Sequence, residues 1–216
     1  MNLFPQTKWQ RIRLAILTGI ALAVVVYCYG LPLAGFMLYT PQTGDIVFQP
    51  LQPNPLVRMI EGATGSPYSH CGVVVKDGDS WVVYQAYGTV TKTPLFNYVT
   101  QGRFGRFAVY RLKPEYQHVL PDFIKALDAF LGMPYDIHYA MGDDEIYCSE
   151  LIYKAFFNAT GEKLGRLVTL GELNWEPYVE TMKKIENSPP PLDRVMITPK
   201  HLSEADQLMN VFSFLL

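Results

Sequence analysis

Cys148 stands in the run Tyr147-Cys148-Ser149-Glu150-Leu151-Ile152, directly after an acidic loop at residues 142–145. Leu151, Ile152, Ala155, Phe156 and Ala159 recur at the spacing of one helix face. Thr160-Gly161 reads as the end of that helix. The thiol therefore falls in the first turn and on the apolar side. The partial positive charge of a helix N-terminus favours thiolate over thiol there, and a thiolate attacks carbonyl carbon. The same position also suits a buried structural cysteine, since free cysteine is among the most buried residue types. Glu150 fits the first-turn dipole and reads as structural.

A thiol nucleophile needs a base, and His70 has the best-defined surroundings. Residues 70–75 and 81–86 read as strands joined by Lys76-Asp77-Gly78-Asp79, and Asp-Gly is a strong hairpin signal. With Asp77 and Gly78 as the loop, Lys76 pairs with Asp79. The register then runs through Val74–Trp81 and Gly72–Val83 to His70–Gln85. Opposed residues share a face, so the imidazole is expected against the Gln85 amide. A slip of one residue would set His70 against Tyr84 or Ala86 instead. Cys71 alternates to the other face and is expected to be a packed thiol. His138 is the rival base, on the segment leading toward Cys148, with no orienting partner in view. His118 and His201 lie beside helix starts and read as solvated or capping groups.

Other chemistries find less in the chain. Asp143, Asp144 and Glu145 read as a solvated turn more readily than as metal ligands with His70, so no metal is expected. Cys28, Cys71 and Cys148 show neither CxxC nor Cys/His ligand spacing, which argues against a disulfide framework or a structural zinc. Thiol chemistry of this kind needs no cofactor. The formal net charge of −2 comes with no basic stripe, so no nucleic acid partner is expected. No protein partner is implied.

At 216 residues, 49% of them hydrophobic, the chain supports one domain and a short extra segment. That segment is N-terminal. Lys8, Arg11 and Arg13 precede residues 14–42, which carry no formal charge. The apolar core is long enough for a spanning helix, and no small-x-small cleavage site follows it. Cys28 is preceded by Val26-Tyr27, which does not suit a lipidated cysteine. Residues 1–42 are therefore expected to be a cytoplasmic N-terminus and an uncleaved single-pass anchor. The basic flank places the domain, residues 43–216, on the outer side of the membrane. Within the domain, strands are expected at 46–48 and 106–112, with a further short strand within 88–95. A short helix is expected at 56–60, ended by Gly62, and a longer one at 121–131. The tail is read as a strand at 195–197, a helix over 199–210 and an apolar last strand at 211–216.

Four segments, in order, resemble the permuted papain-like amidases of the YiiX/YaeF/YebB type, circularly permuted relatives of the NlpC cysteine hydrolases. They are GDIVFQ (44–49), SPYSHCGVVV (66–75), VVYQAYGTVTKTPL (82–95) and YCSELIYKAF (147–156). Met133-Pro134-Tyr135-Asp136 and Ile197-Thr198-Pro199 also look like family positions. The resemblance implies an α+β, circularly permuted papain-like fold, with an antiparallel sheet packed against the nucleophile helix. It implies Cys148 as nucleophile, His70 as base and Gln85 as third member, where close relatives have glutamate. An amide oxygen orients the ring but supplies no charge to an imidazolium. Tyr68, Ser69 and Tyr135 are the candidates for substrate or oxyanion contacts. The expected activity is hydrolysis of an amide in a cell-wall peptide or other small molecule, in the cell envelope. Two alternatives stay open: lipid acyl hydrolysis or transfer, and a binding module with a degraded triad. A hydrophobic cleft favours lipid, and a cleft with a carboxylate-binding cation favours peptide.

Overall fold

The computed structural model describes residues 7–216, apart from the Cys28 side chain. The readings of residues 1–6 and of Cys28 as unlipidated lie outside the described residues. In chain order the helices are α1 (Lys8–Val25), α2 (Leu31–Leu38), α3 (Pro55–Thr64), α4 (Leu95–Gln101), α5 (Leu120–Asp128), α6 (Cys148–Thr160), α7 (Val179–Glu186) and α8 (Pro199–Ser203). The strands are β1 (Ile46–Gln49), β2 (His70–Asp77), β3 (Ser80–Tyr87), β4 (Thr89–Pro94), β5 (Phe107–Leu112), β6 (Val168–Thr169), β7 (Val195–Met196) and β8 (Leu208–Phe214). Six of them form one sheet in the order β4-β3-β2-β1-β5-β8, every pairing antiparallel, and β6 and β7 make a small ribbon.

Alternation gives this sheet two apolar faces. Ile46, Phe48, Cys71, Val73, Val75, Val82 and Tyr84 join the larger cluster, with Leu151, Ile152, Ala155 and Phe156 of α6 and Phe123 and Leu127 of α5. Phe123 meets Phe156 edge-on at 5.9 Å between ring centroids. Each such side chain, fully buried, stabilises the fold by about 1.5–3 kcal/mol in transfer free energy. The opposite face carries Val47, Val74, Val83 and Val109 against Leu95, Tyr98 and Val99 of α4. The α+β class and the sheet on the Cys148 helix are therefore as expected. So is the end of α6, where Gly161 takes φ +74°.

The first hairpin turns one residue later than expected. Asp77 pairs with Ser80 and Val74 with Val83, leaving Gly78 (φ +56°) and Asp79 as the turn. β2 gains one residue at the turn and β3 gives one up, so opposed partners shift by two and the faces are conserved. Helix α3 runs past Gly62 and ends at Gly65 in the left-handed region (φ +63°). Gly62 serves close approach: a Cβ there would lie 1.6 Å from the Tyr178 hydroxyl. The helix expected over 199–210 stops at Ser203, because Leu208 and Met209 pair with Leu112 and Arg111 in the sheet.

The N-terminal segment also departs from expectation. Among the described residues, no helix is long and apolar enough to cross a membrane. The uncharged part of α1, residues 14–25, rises only about 18 Å, against a hydrocarbon core of about 30 Å. A π turn (Val26–Gly30) then joins it to α2, of which the domain buries Pro32 and Gly35. Gly35 sits so close to Phe107 and Phe214 that a Cβ would approach the Phe214 ring to 2.7 Å. Tyr27 packs on Phe104 and Phe36 on Phe96. The expected single spanning helix is thus broken into a rod of an exposed α1 and a docked α2, neither of which is long enough by itself to cross a membrane.

Candidate active site

Cys148 is the first residue of α6, and its placement follows from bonds on both sides. The Glu150 carboxylate accepts the Tyr147 backbone N–H at 3.3 Å and caps the helix. Ile197 N–H donates to the Tyr147 hydroxyl at 2.9 Å, and Ser149 Oγ donates to the Ile197 carbonyl at 2.7 Å. The segment 197–199 therefore brackets the cysteine, a role its resemblance alone did not suggest. The N–H of Cys148, like every first-turn amide, has no acceptor within its own helix.

His70 is the first residue of β2 and is buried. Its Nε2 lies 2.6 Å from Gln85 Oε1, and Gln85 Nε2 donates to Thr93 Oγ1 at 2.8 Å. With the amide oxygen facing the ring, Nε2–H is the donor to Gln85 and Nδ1 is the nitrogen without the proton. The bond is diagonal across the strand pair, made possible by the conserved face. Tyr98 of α4 lies under the ring at 5.6 Å between centroids, and Tyr87 meets it at 5.8 Å.

The Cys148 thiol is held well below the ordinary thiol range. The neighbouring Cys71 thiol is the largest cause. The His70 ring and its charge and the Cys71 backbone N–H act in the same direction, while burial opposes them. Cys71 is fully buried in the core cluster, the packed thiol that alternation predicts. It faces away from His70 along the strand, as alternation requires, and that face is the one α6 covers.

The other candidates separate. Tyr135 lines a groove with His70 and feels the charge of Cys148, and its hydroxyl lies 3.1 Å from that of Tyr139. Burial, first of all, pushes the Tyr135 hydroxyl well above its usual value. Ser69 is engaged in scaffolding, since its Oγ accepts from Leu51 N–H at 2.9 Å and donates to Glu61 at 3.2 Å. Tyr68 packs on Phe48 and reaches only the Tyr110 hydroxyl. His138 has a partner after all, with Nδ1 3.3 Å from Glu186. Asp143 pairs with Lys154 in an exposed loop.

Two depressions meet at this point. The first, a narrow cavity of about 70 Å³, has Cys148 in its wall and is otherwise lined largely by apolar groups, among them Met59, Leu170, Leu173, Met182 and Met196. The second, about 480 Å³, carries His70, Tyr87, Tyr135 and Gln101. Ile60, Ser69, Ile137 and Tyr139 line both. The arrangement sets an apolar pocket at the sulfur and a mixed groove at the imidazole. The pocket walls at 170, 173, 182 and 196 come from short elements with no clear sequence period.

Glu150 yields a test of how α6 is held. It is fully buried, and burial pushes its carboxyl up to about 7, with Lys154, 3.0 Å away, opposing. The folded-state value lies above the ordinary 4.5. The favourable contribution is therefore complete below about pH 4.5 and is lost as pH rises through about 7. Glu150→Gln keeps an acceptor for Tyr147 and cannot ionise. Its urea-unfolding free energy is expected to match wild type at about pH 4 and to exceed it by about 2 kcal/mol at about pH 8. Parallel pH dependences of the two proteins would show the carboxyl to be unperturbed.

Comparison with known proteins agrees with this geometry. The uncharacterized protein YiiX of Escherichia coli (strain K12) is 34% identical over 179 residues, 80% of this chain and 87% of YiiX. A crystal structure described as the metalloprotein YiiX from Escherichia coli O157:H7, DUF1105, superposes with a TM-score of 0.76 at 31% identity, covering 81% of this chain and 98% of that one. The family model of permuted papain-like amidase enzymes, YaeF/YiiX, matches residues 40–212. The chain therefore belongs to the C92 family of permuted papain-like amidases, and it is a hydrolase of the cysteine amidase type.

Proposed function

We propose that the protein is a membrane-attached thiol hydrolase that cleaves the amide between an apolar acyl group and a polar amine, using Cys148, His70 and Gln85. The observation that carries this reading is the meeting of an apolar pocket at Cys148 with a mixed groove at His70. The acyl chain enters the pocket and the amine lies in the groove. The Cys148 thiolate attacks the carbonyl carbon, and the carbonyl oxygen takes the negative charge. The Cys148 N–H and the Tyr135 hydroxyl are the donors for that oxygen. Collapse breaks the C–N bond as the His70 imidazolium gives its proton to the leaving nitrogen. Neutral His70 then takes a proton from water, hydroxide displaces the thiolate from the thioester, and the carboxylic acid leaves. Gln85 holds the ring in one tautomer throughout.

A peptide substrate would call for a cation to hold its carboxylate. Arg194, in the wall of the apolar pocket, is already paired with Glu186. That pairing favours the apolar acyl reading over a cell-wall peptide. YiiX is described as a metalloprotein. The residues here do not fit a metal: His70 Nε2 is taken by Gln85, and among the described residues no group of three or more His, Cys, Asp or Glu side chains is arranged to hold an ion. No step is routed through one.

Membrane attachment is supported by α1, where Leu14, Ile16, Leu17, Ile20, Leu22, Val24 and Val25 are all exposed. A helix apolar on all sides belongs in a core or in lipid. Residues 14–29 extend the uncharged rod through the π turn to about 24 Å, and a bilayer thins to accommodate a short segment. The basic flank then stays cytoplasmic, and the domain lies on the periplasmic side of an inner membrane. Protein released from membranes by alkaline carbonate, without detergent, would count against this.

The reading is tested with amides of one chromogenic amine whose acyl group lengthens from acetyl to dodecanoyl. kcat/KM is expected to rise about threefold per methylene until the pocket is full. A flat series would exclude the pocket as the acyl site.

A further inference from the structure

None of the described residues lining the groove beside His70 is Asp, Glu, Lys or Arg. Glu61, whose carboxylate accepts the Ser69 hydroxyl, stays outside that wall and is paired with Arg103. In the proposed turnover the wall group that changes charge is His70, and the Cys148 thiolate balances it. Most polar side chains of the wall are already committed. Ser69 Oγ is shared between Leu51 N–H and Glu61. Asn54 Oδ1 accepts Val57 N–H at 2.9 Å, and Thr100 Oγ1 donates to the Asn97 carbonyl at 2.8 Å. Gln101 differs. Its Oε1 is shut off from solvent and has no hydrogen-bond partner among the described residues. An unmet buried carbonyl costs free energy that a ligand donor recovers. The terminal torsion of a glutamine is broad, so the amide can turn to meet a donor in the groove at little cost.

The backbone fixes where this amide stands. Gln101 is the last residue of α4, one turn after Tyr98, whose ring lies under His70 at 5.6 Å between centroids. Gly102 bridges to Leu51, and Leu51 N–H donates to Ser69 Oγ at 2.9 Å, next to His70. Gln101 lines the groove and not the apolar pocket, so it belongs to the half of the site that holds the leaving amine. We infer that Gln101 is a specificity-determining residue for that amine, and that the amine is an amino alcohol, uncharged once acylated, whose hydroxyl donates to Gln101 Oε1. A carboxylate on the amine would be desolvated with no cation to meet it, and an ammonium with no anion. A hydroxyl needs only an acceptor. A site built to bond a substrate hydroxyl rejects the analogue that lacks it, because its own polar group is then left unpaired.

The inference rests on the hydrolysis proposed above, and one experiment separates the two. The full chain is given four octanamides, N-hydroxyethyl, N-propyl, N-carboxymethyl and N-aminoethyl, and octanoate release is followed by chromatography at about pH 7. Wild type is expected to cleave the hydroxyethyl amide with kcat/KM about tenfold above each of the others. In Gln101→Leu the hydroxyethyl-to-propyl ratio falls to about one. In Gln101→Glu the aminoethyl amide gains about tenfold on the hydroxyethyl amide, since the acceptor now carries charge. If the Leu variant fails to fold, the wild-type ratios and the Glu variant decide. Wild type cleaving all four alike overturns the inference and leaves the hydrolysis standing. So does a Gln101→Leu that slows all four alike with the ratios kept, the result of a merely structural role. Cleavage of none of the four by wild type overturns both.

Discussion

Cys148→Ala is expected to lower kcat for acyl-amide hydrolysis by about 10⁴-fold, and His70→Ala to lower it nearly as far. The two losses arise from one step. Without Sγ no thioester forms. Without the imidazole the leaving nitrogen must depart as an unprotonated amide ion, and the thiolate loses the charge beside it. Residues that act as a unit are non-additive, so the double variant is expected to be no slower than the slower single one. Residual activity would reflect the donors at the oxyanion position and the binding of substrate. KM is expected to stay within a few-fold in Cys148→Ala, because the apolar pocket owes almost nothing to the sulfur. The measurement is single-substrate kinetics on the longest soluble acyl amide. A Cys148→Ala protein retaining a tenth of wild-type kcat would remove the thiol from the mechanism.

The pairing of His70 with Gln85 was legible in the sequence although the register was not. The Asp-Gly signal marks a hairpin, but Gly78, at φ +56°, opens the turn, so Asp77 remains in the strand. A turn moved by one residue lengthens the first strand by one and shortens the second by one. Opposed positions then change by two, and a period of two restores every face. The helix carrying Cys148 was legible because its apolar stripe, its first-turn Glu150 and its terminal Gly161 agree. What stayed hidden depends on long-range packing. Alternation assigns Cys71 to the face away from His70, yet only the crossing of α6 over that face puts it in one buried cluster with Cys148. Ser69 and Tyr68 flank His70 in sequence, but Glu61 and Tyr110, from other elements, take up their hydroxyls. Charge spacing at the N-terminus suggested a spanning helix. Gly35 and Pro32 instead let α2 lie directly on the aromatic edge of the domain, which no local pattern encodes.

Arg111→Met is expected to destabilise the fold by about 3–5 kcal/mol. Asp45 is completely buried at the entry to β1, and its carboxylate is fully engaged. Oδ1 accepts Arg111 Nε at 2.6 Å, and Oδ2 accepts Arg111 Nη2 at 2.9 Å, the Tyr39 hydroxyl at 2.6 Å and Gln42 N–H at 2.9 Å. Burial, then Asp45 itself, holds the Tyr39 hydroxyl far above its usual value, so tyrosine remains a donor at any working pH. Methionine fills the volume of the arginine stem but leaves a carboxylate buried with no cation. The penalty is that of an unpaired buried charge, larger than the net value of the pair. Against a domain stability of about 5–15 kcal/mol, such a loss reaches a large fraction of the whole. The clamp joins the end of α2 to β1 and β5, so its failure should loosen the rod from the sheet first. Adding Asp45→Asn removes the charge and is expected to recover at least half of the loss, although each single substitution weakens the clamp. Urea-unfolding free energies of the two single variants and the double close this cycle. Additive losses in the cycle would mean that Asp45 is solvated well enough to stand without Arg111.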